Sequence, residues 1–122
     1  PICRVAIGEQ GQADLYVSLH LNASAYEDGA RGFEIYTEKN NAYTTALAQT
    51  IADKLNALSY TMNRGIKTTD TRSLYVIDKN DVPALLLELG FITDTQDLSY
   101  IADETFQERL AKAIADGILQ QL

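Results

Sequence analysis

The sequence has one cysteine, one histidine and no apolar run near the roughly 20 residues that a bilayer span requires. The single cysteine, Cys3, excludes an intramolecular disulfide and a metal site built from several cysteines, and we expect it to pack within a helix. Nothing at the beginning of the sequence resembles a signal peptide, because residues 1–4 lead directly into a helical pattern. We therefore expect no membrane span and no secretion signal within this sequence.

Basic residues are also scarce. Ten Lys and Arg residues against 17 Asp and Glu residues give a net charge of −7, and the basic residues form no stripe. This balance argues against nucleic acid or an anionic membrane surface as the main partner, since both attract positive charge. A length of 122 residues with 46% apolar residues is typical of one globular domain, so residues 1–122 are treated as a single domain.

Strand-like segments are separated by helix-like ones. The almost wholly apolar runs at 14–20 and 84–89 are typical of central strands that are covered on both faces. The alternating segment 33–37 predicts a strand with one more exposed face. We also predict a strand at 74–77 and a polar loop over 60–72.

The spacing of apolar residues predicts four helices. They cover residues 2–10, residues 41–58 with a cap at Asn40 or Asn41, residues 95–101 with a cap at Thr93 or Asp94, and a last helix that begins after Asp103. Strands that alternate with helices predict an α/β fold, in which a largely parallel twisted sheet has helices on both faces.

Glu88 is the strongest single indication of chemistry. It lies within the apolar run Leu85–Leu89, and burying an unpaired carboxylate costs several kcal/mol. We therefore expect Glu88 to be paired, neutral, or at the mouth of a cleft, where it could act as a general base. The alternative is a strand-end glutamate with a structural partner.

His20 follows the first apolar strand and precedes the small polar residues 22–24. Ligands bind at the carboxyl edge of strands in open α/β sheets. Because His20 and Glu88 both lie near the end of an apolar strand, we expect them to face one crevice, with His20 as a metal ligand or catalytic group. The alternative is a histidine that is hydrogen-bonded within the structure.

Two further residues are weaker candidates. Arg64 precedes Gly65, which permits a tight loop, and its guanidinium could bind a substrate carboxylate. A solvated loop arginine is the favoured alternative. Asn22 is expected to shape a turn more than to touch a substrate.

Several segments resemble one known family, in the same order along the chain: ADLYVSLHLNA at 13–23, NRGIK at 63–67, LYVI at 74–77, PALLLELGFITD at 83–94 and the final helix around 111–118. They are similar to the zinc-dependent N-acetylmuramoyl-L-alanine amidases, which include bacterial cell-division and sporulation amidases and many phage lysins. The resemblance covers essentially the whole sequence. It implies that His20 is a zinc ligand and that Glu88 is the catalytic acid/base.

The resemblance also implies a substrate and a location. Members of the family hydrolyse the amide bond between N-acetylmuramic acid and the L-alanine of the peptidoglycan stem peptide. The implied partner is therefore peptidoglycan. The implied location is the periplasm, the cell wall or the medium, and a phage lysin would act on the cell wall of its host.

The sequence departs from the family at one end. Members begin with a strand that ends in Gly-His-Gly and a helix that carries a glutamate, and these two residues complete the zinc site. Neither element is present here, and Glu9 and Glu34 do not lie where that glutamate is expected. We therefore expect a sheet that lacks the family's N-terminal strand and helix, with an exposed edge through which the protein associates.

Two other functions stay open. The absent ligands favour a non-catalytic wall-binding or regulatory module on the same fold, because a fold does not guarantee activity. A plain structural α/β domain would leave Glu88 in an apolar strand without a reason.

Overall fold

The computed structural model describes residues 2–26, 28–70 and 72–122, which form a four-stranded sheet flanked by helices. In chain order the elements are α1 (Ile2–Gln10), β1 (Tyr16–Asn22), β2 (Phe33–Thr37), α2 (Ala42–Asn56), β3 (Asn63–Thr68), α3 (Tyr75–Asp78), β4 (Ala84–Phe91), α4 (Thr95–Ile101) and α5 (Glu104–Gln120). Within the described residues, none of these helices has the length and apolar character of a membrane span.

The strands are arranged in the order β1-β4-β2-β3. The β1–β4 and β2–β3 pairs are parallel, whereas β2 and β4 in the middle of the sheet are antiparallel. A loop without a helix joins β1 to β2, so β2 starts at the edge where β1 ends and runs back in the opposite direction. The sheet is therefore mixed, with two of its three strand pairs parallel.

Helices cover both faces of the sheet, as predicted. Leu85 and Leu87 of β4 point towards α2 and α5, and this side holds the larger core. Ala84 and Leu86 point to the opposite face and pack with residues of α1 and α3. Each fully buried leucine contributes about 1.5–3 kcal/mol relative to an exposed one, so β4 is the main anchor of the fold.

The predicted helix boundaries are nearly correct because polar side chains cap the helices. Asn41, Asp94 and Asp103 each accept a hydrogen bond from the backbone N–H three residues later, at 2.9–3.1 Å. Such caps are each worth about 1 kcal/mol. The predicted helix 41–58 is observed as 42–56, and the predicted strand 14–20 as 16–22. The apolar run of β1 predicted a central strand covered on both faces, which is wrong, because β1 lies at the edge of the sheet and Leu19 is 58% exposed.

Three further predictions, two about elements and one about Cys3, are wrong. The predicted loop contains β3, which has one strongly apolar residue, Ile66, and pairs with β2 at the sheet edge through its backbone. The predicted strand at 74–77 is the short helix α3, because Asp78 accepts hydrogen bonds from the backbone and side chain of the preceding turn. Cys3 does not pack inside the protein but is exposed on α1.

Strand β2 also differs from its prediction. The alternation at 33–37 predicts one exposed face, but all five residues are buried. Tyr36 packs on the α1 and α3 side of the sheet, and Glu34 lies on that same side, next to β4. The polar positions of β2 therefore face a cluster of side chains rather than solvent.

Candidate active site

His20 and Glu88 lie side by side on β1 and β4. They are register partners in this parallel pair, and residues in register on neighbouring strands point to the same face of the sheet. That face is the one packed by α1 and α3, since His20 lines a cavity of about 130 Å³ with Val76 and Leu86. The structure thus brings together the two side chains that the sequence placed near strand ends.

The carboxylate of Glu88 is buried and only partly compensated. The residue is 5% exposed, and its Oε1 lies 4.0 Å from Nη1 of Arg72. Its Oε2 is buried and accepts no hydrogen bond from the described residues. Burial raises the pKa of Glu88 and the charge of Glu34 adds to this, while His20 and Arg72 act in the opposite direction. A carboxylate with raised proton affinity and a free oxygen suits proton transfer.

The imidazole of His20 is half-buried, and its Nε2 lies 2.9 Å from Oγ of Ser18, within hydrogen-bonding distance. Among residues 2–26, 28–70 and 72–122, no group of three or more His, Cys, Asp or Glu side chains is placed to hold a metal ion. The described residues thus offer a single imidazole beside one free carboxylate oxygen.

Glu34 is a site residue that sequence reasoning did not assign. It lies directly opposite Glu88 in the antiparallel β2–β4 pair and is 4% exposed. Its carboxylate accepts a hydrogen bond from Asn22 Nδ2 at 3.1 Å, and Nε of Arg64 and Nζ of Lys67 lie 3.4 and 3.5 Å away. The sequence did not indicate its burial, because Glu34 occupies a polar position of an alternating strand, whereas Glu88 interrupts an apolar run.

Arg64 lies on β3 rather than in a loop. Besides Glu34, it contacts the carbonyl oxygen of Arg31, which accepts a hydrogen bond from Nη1 at 3.3 Å. Its guanidinium carbon lies 5.0 Å from the centre of the Phe91 ring. The side chain keeps 34% of its surface exposed, so one part is fixed by the site and another part faces solvent.

Asn22 has the turn-shaping role that was expected of it, and it also contacts Glu34, which was not predicted. Its Oδ1 accepts a hydrogen bond from the backbone N–H of Ala23 at 2.9 Å, which shapes the turn after β1. Its Nδ2 donates to Glu34 and so joins that turn to the cluster of charged side chains.

Asp97 fixes the backbone around this cluster. Its Oδ2 accepts hydrogen bonds from the backbone N–H groups of Gly32 and Phe91, both at 2.9 Å, and the residue is fully buried. These bonds tie the residue before β2 to the last residue of β4. They set the relative position of the strands that carry Glu34 and Glu88.

Comparison with known proteins is consistent across sequence and structure. A family model described as N-acetylmuramoyl-L-alanine amidase matches residues 3–120. The uncharacterized protein YqiI of Bacillus subtilis (strain 168) is 37% identical over 94% of this chain and 54% of its own length. The N-acetylmuramoyl-L-alanine amidase LytC of the same organism is 36% identical over 93% of this chain and 23% of its own length.

Solved structures show the same similarity. The N-acetylmuramoyl-L-alanine amidase AmiC2 of Nostoc punctiforme superposes with a TM-score of 0.87 at 30% identity, over 98% of this chain and 64% of that one. An N-acetylmuramoyl-L-alanine amidase from Clostridium difficile 630 gives a TM-score of 0.85 at 30% identity, over 96% of this chain and 62% of that one. The chain spans about half the length of YqiI and about a quarter of LytC.

Proposed function

This chain belongs to the N-acetylmuramoyl-L-alanine amidase family, and we propose that it carries the proton-transferring carboxylate of a cell-wall amidase. The proposed reaction is hydrolysis of the amide bond that joins the lactyl group of N-acetylmuramic acid to L-alanine of the stem peptide. The proposed place of action is the cell wall, outside the cytoplasmic membrane. Six relatives at 31–32% identity are named as uncharacterized or probable cell wall amidases, which supports this location.

The observation that carries the proposal is that Glu88 is buried beside His20 with one carboxylate oxygen unpaired among the described residues. Its buried Oε2 has no hydrogen-bond partner in the described part of the chain, and His20 lies beside it on the same face. In the proposed reaction Glu88 removes a proton from the attacking water as the water oxygen bonds to the carbonyl carbon. It then passes that proton to the nitrogen of L-alanine as the carbon–nitrogen bond breaks. The products are a carboxylic acid and a free amine.

We propose a limited part for His20, as one ligand of a zinc ion. Catalytic zinc takes about three protein ligands and activates water by lowering the pKa of that water. The described residues contain no such set, so they do not fit a complete zinc site by themselves. Any further protein ligands of the zinc ion would have to come from residues other than those that the structure describes.

Arg64 and Asn22 are proposed to bind the substrate. The Arg64 side chain is 34% exposed and can pair with a carboxylate of the stem peptide, because a guanidinium and a carboxylate form strong, charge-assisted hydrogen bonds. Asn22 would orient the substrate through the turn that it shapes after β1.

The test is Glu88→Gln in the protein expressed at its full natural length, with release of free amino groups from purified peptidoglycan as the readout. We expect turnover to fall by about 10²–10⁴-fold, because the amide cannot accept the proton. Glu108→Gln on the exposed surface of α5 is the matched control and should keep full activity. Metal analysis should find about one zinc per protein. Unchanged turnover in Glu88→Gln would exclude the role given to Glu88.

A wall-binding or regulatory module without activity is the second candidate, and the incomplete ligand set in the described residues favours it. It predicts that the wild-type protein sediments with peptidoglycan but releases no amine. It also predicts that a chelator leaves this binding unchanged.

A further inference from the structure

Glu34 and Glu88 are two buried carboxylates in directly opposite positions of the β2–β4 pair. Like charges at such positions repel each other and destabilise a sheet, so their environments have to differ. Glu34 has a hydrogen-bond donor or cation on three sides, namely Asn22, Arg64 and Lys67. Glu88 has one cation at the limit of ion-pair distance and a second oxygen without a partner among the described residues.

From this asymmetry we propose that Glu34 is a positioning residue, which binds Arg64 and Lys67 and thereby keeps both cations away from Glu88. The proposal rests on the amidase function proposed for the chain. It deepens that function by assigning opposite tasks to two adjacent carboxylates: one binds cations, and the other stays free for proton transfer.

Glu34 can have this effect because Glu34 and Glu88 compete for the same two cations, Arg64 and Lys67. Arg64 and Lys67 are on β3, which pairs with β2, so Glu34 lies between them and β4. Without the Glu34 carboxylate, Glu88 would be the nearest buried acidic group on that face within the described part of the chain. The Arg64 and Lys67 side chains are only 34% and 32% exposed, so once the Glu34 charge is removed their positive charges are attracted to the next carboxylate on that face, which is Glu88. A glutamate held in such an ion pair no longer has a free oxygen available to the attacking water.

Glu34 also connects this cluster to β1. Its bond to Asn22 holds the end of the strand that carries His20, two residues earlier. One carboxylate thus holds side chains from β1 and from β3 around the reacting group of β4.

The test is Glu34→Gln in the full-length protein, which preserves the shape of the side chain, removes its charge and replaces one of the two acceptor oxygens by a donor NH2 group. We expect kcat to fall by about 10–100-fold with a smaller change in KM, since proton transfer and not substrate affinity is impaired. Adding Lys67→Met should recover part of the lost kcat, because it removes one of the cations that are free to pair with Glu88. Asp116→Asn breaks the remote Lys112–Asp116 pair on α5 and is the matched control, with unchanged kcat expected.

A crystal structure of Glu34→Gln gives a readout that does not depend on activity. We expect Nζ of Lys67 or the guanidinium of Arg64 within ion-pair distance of Glu88. The proposal is overturned if both cations keep their positions, or if kcat stays at the wild-type value. If the wild-type protein releases no amine, the amidase function fails, and the crystal structure still decides whether Glu34 keeps the cations from Glu88.

Discussion

Leu19 and Leu87 are register partners on β1 and β4, yet Leu87 is fully buried and Leu19 is 58% exposed. Both point to the face that holds the larger core, but α2 and α5 cover β4 and do not reach β1 at this position. The same residue type at the same height of the sheet thus has two different environments. Substituting each leucine in turn therefore measures how burial alone changes the contribution of a leucine to the free energy of unfolding.

We predict that Leu87→Ala lowers the free energy of unfolding by about 2–5 kcal/mol, because it removes buried methyl groups and leaves a cavity. Leu19→Ala should change it by no more than about 0.5 kcal/mol, since the side chain is largely in water. Urea denaturation of the two variants measures both values. Equal losses would contradict the observed difference in burial.

The raised pKa of Glu88 predicts a pH-dependent cost to stability in the metal-free protein. Burial makes the folded state bind the proton of Glu88 more strongly than the unfolded state does. Stability is therefore unaffected below the ordinary glutamate pKa and declines as the pH rises through the raised one. Glu88→Gln, which cannot ionise, should raise the Tm at about pH 8 and have little effect at about pH 4.

The measurement is thermal unfolding of wild-type and Glu88→Gln protein in the presence of a chelator. Glu108→Gln on the surface of α5 serves as the comparison, and its Tm should follow that of the wild type at both pH values. A Glu88→Gln Tm below that of the wild type at alkaline pH would show that the Glu88 carboxylate is stabilising.

Substitution of Arg64 should affect substrate affinity more than the rate of the chemical step. Arg64→Lys removes the planar group that contacts Glu34, Arg31 and the Phe91 ring together. We expect KM for soluble muropeptides to rise by about tenfold or more, with a smaller loss in kcat.

Arg109→Lys is the matched control for Arg64→Lys. The Arg109 guanidinium lies 5.4 Å from the centre of the Phe106 ring, which reproduces the contact between arginine and an aromatic ring away from the site. Its kinetics should equal those of the wild type. If both variants raise KM alike, the effect comes from lost packing and not from substrate recognition.

The outer edge of β1 should promote self-association of the 122-residue chain. β1 is a terminal strand of the sheet, and Leu19 and Leu21 on it are 58% and 47% exposed. Free strand edges with apolar side chains pair with other chains. We expect concentration-dependent association in sedimentation velocity, and a reduction of it by the combined change Leu19→Lys and Leu21→Lys.

Leu119→Lys provides the comparison for the edge variant, because Leu119 is 65% exposed on α5, away from β1. It should leave the association unchanged. A wild-type chain that sediments as a monomer at all concentrations would contradict the association predicted at this edge.

Individual residues show how far sequence reasoning extends to the site. The position of Glu88 inside an apolar run indicated a buried carboxylate, and the structure confirms the burial. Arg64 was expected in a loop, because the segment around it has too few apolar residues to suggest a strand. Glu34 was missed because alternation in β2 suggested a solvent-facing side chain. Its partners Arg64 and Lys67 lie about 30 residues later, so no local pattern reveals that they neutralise it.

The sequence by itself determined the local features: the helix caps, the apolar strands β1 and β4, and the location of His20 and Glu88 near the carboxyl ends of those strands. These features depend on side chains within a few residues, which propensity and spacing describe. Only the tertiary structure decided the strand order β1-β4-β2-β3, and with it the placement of Glu34 opposite Glu88. Strand order and register depend on the packing of distant elements against both faces of the sheet, and local sequence does not specify that packing.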